Sequence, residues 1–490
     1  MSKKKRFVIK WPIILGVQFL ASVLLMVFVL KLGALPTTYL IAVGAVLGVL
    51  LLINYFLMRP SKKHESSKTR EAIGKMISLL LSVVLIVGSI YISQGNDLLG
   101  NITGATEKTN RFNVYVLDDS EVESLDDLSF KFVGMSKEFD DENHYLEAHN
   151  ALLNQNSKIR IKEYDDYASL ALDFYNGEIE AMYVNEAYDG MFETDYPKFT
   201  SEVKSVWSHD IVEQIIDISK NVQVSKDTFT IYISGIDTTG PISTVSRSDV
   251  NMLVTINPIT KDILMTSIPR DYYVPLADKG KPDKLTHSAL TGIENTVKTI
   301  ENFMGIDINY YARVNFTSLI KIVDALGGID VYSPKAFINS ALDLQVKKGM
   351  NHFTGIQALR FVRERYALGG SDTSRLGNQQ RVLKAMLNKA MSPSIIKNYT
   401  KLLNAVDGSF ETNMLSEEIL ELIQMQLSDM TAWSFHSTVL EGDGQTMTGG
   451  AYMPNQRLYY SVPIQESVDE TADLIKQMVK GEKITLEDVD

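Results

Sequence analysis

Aspartates and arginines are the residues of this 490-residue chain whose types and spacing could do chemistry. Arg247, Asp249, Arg270 and Asp271 bracket one stretch, SRSDVNMLVTINPITKDILMTSIPRD, and Asp237 lies just before it. Arg363 and Arg365 stand two apart and share a face if that segment is extended. Arg375 and Gln379 stand four apart and share a face of a helix, with Arg381 following. Asp372 is placed to cap that helix, whose N-terminus itself favours an anion. A guanidinium forms a bidentate fork to phosphate oxygens, so several of them suit a pyrophosphate. The carboxylates Asp237 and Asp249 suit Mg2+, which takes one or two carboxylates plus phosphate oxygens and water. Together these residues point to phosphoryl transfer, where positioning and charge neutralisation supply most of the catalysis. Each also has an ordinary meaning. An Asp–Arg pair at a strand end is commonly a rim salt bridge, and alternate arginines are often a solvated face. On residue types alone, both readings stay open.

The elements that must position these residues are readable. Asn251–Asn257 and Asp262–Ile268 are β-type runs flanking the turn 258–261, which predicts a hairpin with Asp249 roughly opposite Arg270 at its open end. A further strand over 228–235 leads to Asp237. Helical periodicity is expected over 285–304, 317–326, 354–361, 372–391, 416–427 and 467–480, with strands at 308–316, 329–332 and 432–440. The segment 362–366 is expected to be extended. Val254, Ile256, Leu264, Ile322, Val323 and Leu326 read as ordinary core, although the same residues could line a slot for a lipid chain.

Upstream, 111–184 alternates strand and helix like a small α/β unit with no metal or nucleophile constellation. It is expected to be an accessory unit. His144 and His149, five apart, read as a solvated face. The stretch 195–222 is expected to be mixed, with a helix over 203–218. The Gly-, Asn- and Thr-rich stretch 93–110 reads as a linker lifting the accessory unit off a bilayer. Three apolar runs, 11–30, 35–58 and 72–92, are each long enough to span a membrane. Lys and Arg cluster in the leader and in the loop 59–70, so both are expected in the cytoplasm and everything after Ser93 outside it. The divisions expected are 1–92, leader and spans; 93–110, linker; 111–222, accessory domain; and 223–490, main domain with a C-terminal extension. A charge of −12 argues against a nucleic-acid partner, and the absence of cysteine excludes disulfides, thiolate metal sites and a cysteine nucleophile.

The runs SGIDTTG, SRSDVNMLVTINPITKDILMTSIPRD, VNFTSLIKIVDALGGIDV and GMNHFTGIQALRFVRERYALGGSDTSRLGNQQRVLKAM resemble the LytR–CpsA–Psr (LCP) family. The spans and accessory unit are similar to those of its capsule-biosynthesis members. That resemblance implies an α/β fold, a mixed sheet with flanking helices, anchored in the cell membrane as a multi-pass protein. It also implies a phosphotransferase that moves a glycopolymer, capsular polysaccharide in this case, from a polyprenyl-pyrophosphate carrier to peptidoglycan, with a pyrophosphatase side activity. Under it Asp249 and Arg270 are catalytic, and Asp237 and Asp249 hold Mg2+ or Mn2+. Arg247, Arg270, Arg363, Arg365, Arg375 and Gln379 bind the pyrophosphate. Capsule assembly proteins are the partners expected besides substrate and membrane. A non-catalytic carrier-lipid scaffold or regulator of capsule assembly is the competing expectation. Before the paired glutamines the family often carries arginine; here Asn378 stands in that place.

Overall fold

A computed structural model describes residues 10–59, 66–220, 222–236, 241–340, 342–364, 372–392 and 401–486, except 403, 406, 407 and 409. Asp237 and Arg365 fall outside these residues, as does the Asp372 side chain.

Three helices open the chain: α1 (Trp11–Leu32), α2 (Thr37–Met58) and α3 (Ser66–Ile102). All three contain segments long and apolar enough to cross a membrane. One polar knot joins them. Gln18 Oε1 accepts from Asn54 Nδ2 at 2.8 Å and from Ser78 Oγ at 2.7 Å, and all three residues are buried. With no water available, such side chains bind one another across helices.

Helix α3 overturns the expected linker. It continues to Ile102, and Leu99 and Ile102 bury against Ile322, Val323 and Phe361. These two apolar residues stand three apart, the spacing of one helical face, which the Gly- and Asn-rich composition around them conceals. A strand begins almost at once, at Glu107.

The accessory unit is a five-stranded sheet. Its elements are β1 (Glu107–Leu117), β2 (Phe132–Ser136), α4 (Glu142–Gln155), β3 (Arg160–Tyr164), α5 (Tyr167–Tyr175), β4 (Ala181–Asn185), α6 (Asp189–Asp195), α7 (Phe199–Glu202) and β5 (Val203–Gln214). The order is β3-β2-β4-β1-β5, with β2 parallel to β3 and β4, and β1 antiparallel to β4 and β5. The helix expected over 203–218 is therefore a strand for most of its length. It pairs with β1 from Glu107↔Gln214 to Leu117↔Val203, and a partner strand of that length overrides a weak local preference. His144 is likewise not a solvated residue, because its Nε2 lies 2.9 Å from Glu213 on β5.

The second sheet carries the hairpin. Its strands are β6 (Phe229–Ile236), β7 (Ser248–Asn257) and β8 (Asp262–Ile268). The small strands β9 (Tyr273–Pro275) and β10 (Pro282–Lys284) pair with each other, and α8 (Ile293–Met304) follows. Next come β11 (Tyr310–Asn315), α9 (Phe316–Ala325) and β12 (Ile329–Ser333). Strands β13 (Phe337–Asn339), β14 (Leu344–Val346) and β15 (Gly349–Phe353) precede α10 (Gly355–Arg363) and α11 (Asp372–Ala390). The chain then runs through β16 (Phe410–Thr412), a helix at Ser416–Asp429, β17 (Ser434–Val439), β18 (Gly442–Met447), β19 (Leu458–Pro463) and a helix at Gln465–Val479. The main order is β16-β11-β6-β7-β8-β17. Strand β6 runs parallel to β11 and β8 parallel to β17; the other neighbours are antiparallel. The sheet is mixed and helices flank it.

The two sheets share a core. Tyr167, Phe174 and Phe192 of the accessory unit belong to the same buried cluster as Tyr232, Leu264, Val297 and Ile300. Val254, Leu264 and the set Ile322, Val323 and Leu326 are buried in three separate clusters, so they are core and do not line one slot.

Candidate functional site

The hairpin folds about its expected turn. Asn257 pairs with Asp262 and Asn251 with Ile268, and that register carried outward sets 249 against 270. Arg270 Nη1 lies 3.1 Å from Asp249 Oδ1. What aims Asp249 is a β-bulge. Gly235 pairs with Val250 and Ile236 with Ser248, so Asp249 is an extra residue with no counterpart on β6. Bulges of this kind kink a strand and re-aim a side chain. The kink is tight, since a Cβ on Gly235 would come 2.7 Å from Val250 Cβ. Beneath it a buried hydrogen-bond set holds the backbone. Tyr232 OH donates to Asn251 Oδ1 at 2.6 Å and lies 3.1 Å from Ser248 Oγ, and the hydroxyls of Ser234 and Ser248 are 2.8 Å apart.

The rim continues as alternating charge. Arg270 Nε is 3.5 Å from Asp271 Oδ2, and Lys284 Nζ is 2.9 Å from Asp271 Oδ1. Burial by itself would raise the Asp271 carboxyl, but Lys284 and Arg270 outweigh it and hold the group below its ordinary value. Beside them His287 Nδ1 meets Asp283 Oδ1 at 3.0 Å, both residues buried. Lys284, Asp283 and His287 were not singled out in the sequence. Their one local signal is the i, i+4 spacing of Asp283 and His287, which points to a pair but not to the hairpin rim.

The remaining candidates divide. Arg247 faces the accessory unit: its Nη2 lies 3.8 Å from Glu193 Oε2, and a Cβ on Gly190 would fall 1.9 Å from its Cζ. Arg363 is not on an extended segment. It closes α10, and its guanidinium stacks 4.9 Å over Phe316. Arg375 and Gln379 are buried on α11, and Gln379 Oε1 has no hydrogen-bond partner among the described residues. The next residue, Gln380, ties α11 to the same sheet, donating from Nε2 to Thr438 O at 2.7 Å and to Met265 O at 3.3 Å. Asn378 is fully buried, donates to Phe361 O at 3.2 Å and accepts from Arg381 Nη1 at 3.3 Å. It links α11 to the end of α10.

For a cation, the residues present fit in part. Asp249 Oδ1 is buried and accepts no hydrogen bond of good geometry despite its nearness to Arg270, which leaves acceptor capacity that a hard cation would use. No group of three or more His, Cys, Asp or Glu suited to a metal occurs among the described residues.

A carboxylate on a bulge, paired with an arginine at the end of a mixed α/β sheet and tethered behind three apolar helices, defines a class of membrane-anchored α/β proteins with a charged rim. Residues 197–471, more than half the chain, match the LytR_cpsA_psr family, and the chain belongs to that family. A relative from Bacillus cereus, the polyisoprenyl-teichoic acid–peptidoglycan teichoic acid transferase TagU, is 31% identical over 258 residues, 52% of this chain and 81% of that protein. TagU of Enterococcus faecalis is 29% identical over 277 residues, 55% of this chain and 88% of that protein. Among solved structures, TagT bound to LIIa-WTA is 28% identical with a TM-score of 0.43, over 54% of this chain and 94% of that one. Bacillus subtilis TagV is 29% identical with a TM-score of 0.44, over 53% and 99%.

Proposed function

We propose that this protein is a membrane-anchored phosphotransferase, acting outside the cytoplasm, that moves a glycopolymer from a polyprenyl-pyrophosphate carrier to peptidoglycan. The observation that carries the reading is the Asp249–Arg270 pair, aimed by a one-residue bulge at the open end of the hairpin. Family membership and the transferase names of the relatives support it. A sugar hydroxyl of peptidoglycan attacks the phosphorus attached to the glycan. The phosphoanhydride bond breaks, polyprenyl monophosphate leaves, and a phosphodiester joins polymer to wall. Arg270 neutralises charge on the reacting phosphates, with Asp271, itself held by Lys284, fixing its guanidinium. Arg247, Arg363, Arg365, Arg375 and Gln379 are the further pyrophosphate ligands we assign. Asp249 receives the hydroxyl proton, directly or through water. Asp237 and Asp249 would hold Mg2+ or Mn2+, which supplies charge neutralisation at the phosphates when bound. The polymer we assign is a capsular polysaccharide, because three spans with an accessory unit resemble the capsule-type members of the family.

The test is reconstitution of the full chain in detergent with a polyprenyl-pyrophosphate-linked polysaccharide, Mg2+ and peptidoglycan. Covalently wall-linked polymer is the expected product, with free polyprenyl phosphate in equal amount. Tight binding of the lipid without product would instead establish a non-catalytic scaffold. Release of lipid phosphate without acceptor would measure the pyrophosphatase side reaction. Parallel reactions with lipid-linked teichoic acid decide between the two polymers.

A further inference from the structure

Helix α11 has a second polar face. At about 100° per residue, positions 377, 381, 384 and 388 lie roughly opposite 375 and 379. A cavity of about 460 Å3 opens on that face, lined by Arg381, Lys384, Asn388, Tyr332, Phe435 and His436. Its size falls within the roughly 300–1,000 Å3 of small-molecule sites.

The lining carries a cationic excess. Among the described residues neither Arg381 nor Lys384 forms a salt bridge. Arg381 is half-buried and gives Nη1 only to Asn378 Oδ1, at a long 3.3 Å. Burial draws its guanidinium below the ordinary value. The carboxylate in the lining, Asp330, is engaged by His352 Nδ1 at 2.8 Å. His436 is likewise occupied, by Asp262 at 3.2 Å. Two cations, Arg381 and Lys384, therefore face the cavity against one wall carboxylate, Asp330. Aromatic surface completes it: Lys384 Nζ lies 5.7 Å from the Phe435 ring centroid, and Tyr332 is another wall.

Aromatic faces receive the C–H faces of sugar rings, and amides such as Asn388 bond their hydroxyls. A guanidinium and an ammonium among such groups add selectivity for charge. We infer that this cavity is a second binding site, for a glycan segment bearing carboxylate or phosphate groups, distinct in its lining residues from the Asp249–Arg270 rim. It would hold an acidic polymer or a muramyl-type acceptor at a distance from the reacting phosphates. The inference rests on the proposed transfer only for which glycan is the natural one.

The test is isothermal titration of the full chain in detergent with hexagalacturonate, maltohexaose, a glycerol-phosphate oligomer and a soluble disaccharide-peptide muropeptide. Hexagalacturonate or the muropeptide is expected to bind at least about ten-fold more tightly than the neutral and the ring-free probes. Whichever of the two binds tighter identifies the side of the reaction served. Arg381→Ala should weaken binding about ten-fold or more. Lys384→Glu, at an exposed position that tolerates substitution, should do so with an unchanged melting temperature. Arg270→Ala should keep wild-type affinity whether or not it transfers polymer. Equal binding of maltohexaose or of the glycerol-phosphate oligomer overturns the inference. So does binding that is indifferent to both cavity variants, or lost in Arg270→Ala.

Discussion

Asp249 owes its direction to one extra residue in a strand. Without the bulge between Val250 and Ser248, the alternation of β7 would carry its carboxyl elsewhere. With the bulge it meets Arg270; Arg270 in turn leans on Asp271, which Lys284 also holds. We predict that Asp249→Asn and Arg270→Ala each lower transfer on the order of a hundred-fold or more, the scale of removing one stabilising group from a preorganised site. Their melting temperatures should stay close to wild type, because the pair stands at a rim and not in the core. Single-turnover product formation alongside thermal unfolding checks both halves; a variant with wild-type turnover would remove that residue from the chemistry.

At the scale of elements, two close approaches set the frame. Helix α10 crosses α9 at Gly355, where a Cβ would lie 2.2 Å from Ile320 O and where Gly355 N donates to Asp324 Oδ1 at 2.8 Å. Backbone cannot yield as a side chain can, so Gly355→Ala should destabilise the fold by roughly 1–3 kcal/mol, measured by denaturant unfolding. The accessory unit meets the main sheet through aromatic rings: Phe139 stacks on Tyr167 and touches Tyr188 and Tyr452. Half-buried Asp140 sits beside them, accepting from Asn185 and Tyr167. Burial pushes its carboxyl up to about 6, against the opposing hydrogen bonds. A carboxyl raised in the folded state contributes stability that is fully present below its unfolded value, near 4, and is lost as pH rises through 6. Asp140→Asn should therefore gain on the order of 1–2 kcal/mol relative to wild type at pH 7.5. The gap should close by pH 4, a dependence that unfolding at a series of pH values would read.

At the scale of the whole molecule, the three apolar helices and the main core are one continuous piece. Helix α3 passes from the bundle into a cluster with Ile322 and Phe361, and Gln424 donates to Leu35 O, at the turn between α1 and α2. The main sheet therefore sits close to the apolar helices, as the proposed lipid-linked substrate requires. Replacing Gln18 by Leu breaks the polar knot of the three helices and should loosen their association by about 0.6–2 kcal/mol, seen as a lower melting temperature in detergent. Reporter fusions after residue 102 should be active only outside the cytoplasm, given the basic leader and the basic loop 59–70. Activity inside would overturn the orientation and with it the proposed reaction.

Several of these features were written in local sequence. Hydrophobic length determined the three apolar helices, two-residue alternation and a turn determined the hairpin, and its arithmetic set Asp249 against Arg270. Periodicity likewise marked most helices of the main domain within a few residues. Other features depend on partners distant in the chain. Residues 203–214 are a strand because β1 offers a partner edge, and 93–102 stay helical because Leu99 and Ile102 find a pocket. Arg363 stacks on Phe316 instead of joining an extended pair, and Arg247 turns to the accessory unit's Glu193. Local sequence determined which residues could form the site. Which of them meet was decided by the tertiary structure, because a bulge, a crossing of helices or a second sheet edge acts between residues that no local spacing connects.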